Sequence, residues 1–276
     1  MIDLGNPKLS QSEREILAAL LTLFGSDEPS LEQIWAAMDF VWRNLGCDNR
    51  SPNADMLARY YRHPVWLLNG LFVEQDEASL QHREEFSDWV RKQSPRRVAD
   101  FGGGFGTLGR MIAAKCPDVE VHVVEPFPHQ LALDRLASVP NASYHAKLYE
   151  SYDVILATDV FEHVPDPLAL VSDISRNLNV GGKFLIANCF YPVIACHLPQ
   201  TFHFRSTWHA FMTRLGYALE GPVLHGWAYV KLGAGDDISA LRKWEALSRI
   251  VFRYCEQRPA LERLVGTLAL KLAGLR

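Results

Sequence analysis

From Arg97 onward, short β-rich runs alternate with segments of helix length, and no other feature restricts the fold as tightly. RVADF leads through a glycine loop into TLGRMIAAK, VEVHVVE into HQLALDRLA, and YDVILATD into PDPLALVSDISRNL. KFLIANCF leads to a helix near Thr207–Leu215. Strands separated by helices are joined by parallel crossovers, so this stretch predicts a doubly wound, mostly parallel α/β sheet. Past Gly216, the runs YALEGPV and WAYVKL flank Leu224-His225-Gly226 and predict a terminal antiparallel hairpin.

Before Pro95 the pattern is helical only. Ser10 and Ser12 are cap candidates ahead of Ile16, Leu17, Leu20, Leu21 and Phe24, and Ser30-Leu-Glu-Gln33 reads as a capping box. Ser51-Pro52 predicts a further helix start. Beyond the break at Gly233–Asp237, Leu241, Trp244, Ser248, Val251 and Cys255 share one helical face. Leu261, Leu264, Val265, Leu268, Leu272 and Leu275 share another. The expected organisation is a helical lid or substrate lobe over 1–94, an α/β domain over 95–233 and a C-terminal helical extension over 234–276.

A formal charge of −4, from 28 Lys+Arg against 32 Asp+Glu, argues against nucleic acid as a partner. No apolar run approaches the ~20 residues of a membrane helix, and no secretory signal is read at the N-terminus. The five cysteines are scattered without a C-x-x-C pair, which predicts reduced thiols and a cytoplasmic protein. His197 and His203 lack a third donor at a recognisable spacing, so no metal site is expected.

The glycine loop carries the most chemistry. In Val98-Ala-Asp100-Phe-Gly102-Gly103-Gly104-Phe-Gly106, glycines let the backbone turn from strand to helix and approach a ligand closely. Glu125, closing the next strand, can accept hydrogen bonds from both hydroxyls of a ribose. The pair predicts a nucleoside cofactor. Gly104-Phe-Gly106-Thr-Leu-Gly109 also satisfies the dinucleotide pattern. Asp100, however, would repel a pyrophosphate and could instead hold an ammonium group, and the turn has no basic residue.

The run DFGGGFG, Glu125, YDVILATDVFEHV and LNVGGKFLI, in this order, resemble the class I S-adenosylmethionine-dependent methyltransferases over roughly residues 95–233. The resemblance implies a Rossmann-like methyltransferase fold with S-adenosyl-L-methionine as cofactor. It assigns the methionine portion to Asp100, Gly102, Gly103, Gly104 and Gly106, and the ribose to Glu125. Thr158, Asp159 and Val160 would lie beside the sulfonium. The family's acidic residue after the third strand is absent from ASYHAKLYESYDVI, which leaves Lys147, Leu148 or a backbone amide for the adenine.

His163, after Glu162 at the exit of the fourth strand, is a candidate base and equally a cofactor-pocket residue. The long aromatic loop from Cys189 to Arg205 adds His197 and His203 as candidate catalytic residues. Tyr191 and Arg205 in that loop, with Tyr60, Tyr61 and His63 in the N-terminal lobe, are candidate acceptor contacts. The expected activity is methyl transfer to an oxygen or nitrogen of a small-molecule or sugar-type acceptor in a biosynthetic pathway. The alternatives are a nicotinamide-dependent oxidoreductase and a non-catalytic nucleoside-binding relative acting as a partner subunit. The helical lobes are candidates for a homodimer contact.

Overall fold

Residues 4, 6–25, 28–256 and 258–273 are described by the computed structural model. The N-terminal lobe is built from α1 (Gln11–Phe24), α2 (Leu31–Asn44), α3 (Ala54–Tyr61) and α4 (Val65–Val73), followed by the longer α5 (Glu77–Gln93). Ser10 and Ser30 both close complete capping boxes, with Glu13 and Gln33 reaching back to the cap amides. The third helix starts later than Ser51-Pro52 predicts, because Asn53 is the residue whose side chain accepts from the Met56 amide. Leu17, Ile34, Met38, Trp42, Tyr60 and Leu68 form the lobe's own core.

The sheet follows as β1 (Arg97–Phe101), β2 (Glu120–Val124), β3 (Ala142–His145), β4 (Tyr152–Thr158) and β5 (Leu178–Ala187). Between them lie α6 (Thr107–Lys115), α7 (Gln130–Leu136) and α8 (Pro167–Ser175). After α9 (Phe204–Arg214), the hairpin of β6 (Tyr217–Val223) and β7 (Gly226–Lys231) completes the order β3-β2-β1-β4-β5-β7-β6. The first five strands pair in parallel, and β7 runs antiparallel to β5 and β6. β1, β2 and β4 and the second half of β5 are largely buried because helices cover both faces of the sheet.

α10 (Ile238–Cys255) and α11 (Pro259–Leu272) pack beside α9. The buried side of α10 is Leu241, Glu245, Ser248 and Cys255. Trp244, expected on that face, is exposed beneath the Arg214 guanidinium. Leu264, Leu268 and Leu272 of the expected α11 stripe are exposed as well, and Leu275 lies outside the described residues.

What positions the site is how the lobe meets the sheet. Glu74, which caps α4, forms ion pairs with Arg110 of α6 and Arg135 of α7. Arg62 stacks over Phe127, 4.4 Å from the ring centre, and His129 meets Glu13 of α1 at 2.8 Å. Phe105, at the tip of the glycine loop, inserts into the lobe's core against Gly70. A Cβ at Gly70 would lie 2.6 Å from Phe105 Cγ, so only glycine lets α4 approach this closely.

Gly70→Ala is therefore expected to destabilise the protein by about 1–3 kcal/mol through overpacking. Gly266→Ala, at a helical position with open space around it, is expected to stabilise by about 0.5–1 kcal/mol. Urea unfolding of the two variants would separate these effects.

Candidate active site

In an open parallel sheet, ligands bind beyond the carboxyl ends of the strands where the strand order reverses. That reversal falls between β1 and β4. A cleft of about 1180 Å³ opens there, floored by the strand exits and roofed by residues of α1, α3 and α4. Small-molecule pockets usually span about 300–1,000 Å³, so the space accommodates a second molecule beside a nucleoside.

The glycine loop forms one wall. Gly102 adopts φ +72°, and a Cβ there would meet Val160 Cγ2 at 2.5 Å. The two strand exits can touch only because that Cβ is absent. At Gly103 a Cβ would lie 2.6 Å from Asp100 Oδ2 and 2.7 Å from Val123 Cγ1. Asp100, 1% exposed, accepts from the Gly109 amide through Oδ2 at 3.0 Å, while its Oδ1 has no partner. Burial pushes its pKa up to about 6 against the opposing pull of Arg83 and the Gly109 hydrogen bond. Glu125 accepts from the Phe127 amide at 3.0 Å and from the Gly104 amide at 3.2 Å. The Tyr144 hydroxyl donates to the Gly104 carbonyl at 3.1 Å and supports the loop from β3.

This arrangement also bears on the nicotinamide alternative. The first turn of α6 is already engaged by the Asp100 carboxylate, where a pyrophosphate would have to sit. Gly109 serves packing, since a Cβ there would run into Val123.

On the opposite side, Thr158, Asp159, Val160 and His163 line the cleft. Asp159 holds a left-handed backbone, φ +53°, as the chain leaves β4, and its amide donates to Ala187 O at 2.8 Å. The surrounding protein raises its pKa despite Arg83, His197 and His82. Glu162, buried in the 3-10 turn that follows, is pushed up to about 8 by desolvation and by the Asp159 charge. His163 is pushed down to about 3 by desolvation and by His197, so it is neutral.

The remaining expected residues divide by place. Tyr61 and His63 line the cleft, with Trp66 beside them; Tyr60 is fully buried behind Tyr61, its ring against Trp42 and Trp66. Lys147 and Leu148 line the cleft near Glu125. His197 lies just behind His163, with ring centres 4.8 Å apart, and its Nδ1 donates to Tyr191 O at 2.6 Å. Gly106 sits below the cleft as the N-cap of α6. Three residues turn elsewhere. His203 is buried against Ser248 Oγ at 2.8 Å, Arg205 is paired with Glu262 of α11, and Tyr191 is half-exposed beneath the Arg205 guanidinium.

Sequence reasoning passed over Arg83 and Tyr144. Arg83 sits in the charged run EASLQHREEFSDWVRKQ, which resembles a solvated helix face, yet it lines the cleft within the fields of Asp100 and Asp159. No local pattern marks it.

Residues 99–184 match the family model described as a methyltransferase domain. No curated protein matches the chain. Among solved structures, the mitomycin 7-O-methyltransferase MmcR is 14% identical, covering 78% of this chain and 75% of its own, with a TM-score of 0.50. LaPhzM is 15% identical over 83% of this chain and 73% of its own, also at 0.50. A proposed O-methyltransferase from Nostoc punctiforme is 19% identical over 63% of this chain at a TM-score of 0.45, and the chain spans 61% of its length. The two likenesses with a TM-score of 0.50 establish the fold. The matched segment, with its glycine turn, Asp100 and Glu125, is a class I S-adenosylmethionine-dependent methyltransferase domain.

An ammonium group placed against the unpartnered Asp100 Oδ1 would give its binding a defined pH dependence. A neighbouring cation favours the ionised carboxyl, so affinity is full above the free-protein pKa of about 6 and declines below it. The expected limit is about tenfold per pH unit. Calorimetric titration of S-adenosylhomocysteine across this range should show the decline in the native protein and a flatter profile in Asp100→Asn.

Proposed function

We propose that the protein transfers the methyl group of S-adenosylmethionine to an oxygen of a small molecule in natural-product biosynthesis. The observation carrying this reading is the buried, half-satisfied Asp100 carboxylate beside Glu125, in a cleft with room for a second molecule under a helical roof. The named solved structures, which include a mitomycin 7-O-methyltransferase, support the acceptor class.

In this reading residues 95–233 are the cofactor-binding domain, 1–94 the lid that shapes the acceptor side, and 234–276 a supporting extension. Asp100 takes the ammonium group and the glycine backbone packs along the methionine portion. Glu125, already oriented by two amides, accepts from the ribose hydroxyls. Arg83 is suited to the cofactor's carboxylate, because its guanidinium faces the same corner as Asp100. Lys147 and Leu148 flank the adenine, and Thr158, Asp159 and Val160 approach the sulfonium side.

The bound cofactor supplies an activated methyl group and its own leaving group. The protein's part is alignment and exclusion of water. Tyr61, His63 and Trp66 wall the acceptor region. With its pKa pushed down to about 3, His163 stays neutral and is a weak proton store, so its part is to wall the acceptor side of the cleft. His197 buttresses His163 from behind. A homodimer through the helical lobes is compatible with the exposed apolar residues of α10 and α11.

Titration with S-adenosylhomocysteine and NADH tests the reading. The first should bind, and Glu125→Ala should weaken it roughly 10- to 100-fold, matching the ~1.5–3 kcal/mol of hydrogen bonds to a charged group. Binding of NADH alone would overturn the assignment. Labelled S-adenosylmethionine offered with hydroxylated aromatic acceptors should then yield methyl ethers.

A further inference from the structure

Behind the cleft wall, three metal-ligating side chains converge from two segments distant in sequence. Glu162 leaves the 3-10 turn after β4 fully buried. Its Oε1 accepts from the Cys189 amide at 2.6 Å, and its Oε2 has no partner. A buried polar atom left without a partner is costly, so this oxygen calls for a donor or a cation.

The two imidazoles beside it are oriented alike. His163 Nδ1–H donates to Cys196 O at 3.3 Å, and His197 Nδ1–H donates to Tyr191 O at 2.6 Å. Carbonyl oxygens only accept, so each ring carries its proton on Nδ1 and keeps the Nε2 lone pair free. Neither Nε2 makes a hydrogen bond among the described residues. Metal-bound histidines are held in the same way, by a hydrogen bond from the nitrogen that does not ligate. One ligand atom from each of Glu162, His163 and His197 lies within 4.8 Å of the others.

The backbone keeps the three together. The Leu198 amide donates to Glu162 O at 2.8 Å, the Ala195 amide to Asp39 Oδ1 at 2.6 Å, and Asn49 Nδ2 to Ala195 O at 2.9 Å. The loop bearing His197 is thereby fastened both to the strand exit and to the helical lobe.

We propose that Glu162, His163 and His197 bind a divalent transition cation of the Zn2+, Co2+ or Fe2+ kind just behind the cleft wall. Two imidazoles with one carboxylate favour such ions over Mg2+ or Ca2+, which prefer all-oxygen shells. Three protein ligands leave part of the ion's shell open. His163 lines the cleft, so the class of molecule that completes the shell is an acceptor presenting a hydroxyl or carboxylate oxygen. Binding of the ion stands apart from the methyl-transfer reading; only its meeting with an acceptor oxygen rests on it.

The test uses the untagged full chain, stripped with chelator and titrated with Co2+ while visible absorption is followed. One equivalent should produce ligand-field bands that Zn2+ abolishes and excess Mg2+ leaves intact. His197→Gln and Glu162→Gln should each weaken binding by at least about tenfold, with circular dichroism confirming the fold. His82→Gln should bind as the native protein does; His82 and His225 form a surface imidazole pair with ring centres 4.8 Å apart. The proposal is overturned if the native chain shows no saturable Co2+ binding, if both ligand variants bind unchanged, or if His82→Gln removes the signal. S-adenosylhomocysteine titrated into the same stripped preparation reads the cofactor site separately. Its binding without a Co2+ signal rejects the metal site alone, and a Co2+ signal without it supports the metal site while rejecting the cofactor reading.

Discussion

A single buried carboxylate organises the cofactor half of the molecule. Asp100, next to last in β1, has one oxygen bound to the Gly109 amide in the first turn of α6 and the other unpartnered at the cleft. Gly103 packs so closely on that carboxylate that any side chain there would collide with it. Glu125 and Tyr144 then fasten the same loop from β2 and β3 through Gly104. Three adjacent strands thus converge on a few backbone atoms.

The helical lobe uses the same loop as its anchor. Phe105 enters the lobe's core opposite Gly70, and Glu74 spans to α6 and α7. The roof is thus attached directly to the glycine loop. On the other side, Asp39 and Asn49 hold the loop that carries His197. The lobe therefore touches both walls of the cleft.

Beneath the second wall, Glu162, His163 and His197 collect buried polarity that an apolar core would exclude. The imidazoles stay neutral because burial disfavours their charged forms. His203, the other histidine of the loop, instead joins Ser248 on the far side of α9, and Arg205 is occupied by Glu262. The loop divides its polar residues between the cleft and the C-terminal helices, a division invisible in its composition.

The order of strands and helices, the glycine turn, Asp100 and Glu125 were legible because each is local: periodicity, turn chemistry and the end of a strand lie within a few residues. The capping boxes at Ser10 and Ser30 were legible for the same reason. The roles of Arg83, Tyr144 and Gly70 were not, since each depends on a partner from another element. The cluster of Glu162, His163 and His197 escaped as well, because Glu162 and His197 meet only where Leu198 pairs with the strand exit. The sequence by itself determined the architecture and the cofactor class, through short-range patterns that backbone sterics enforce. Tertiary packing alone decided which histidines face the cleft, because side-chain direction there is set by long-range contacts that no spacing encodes.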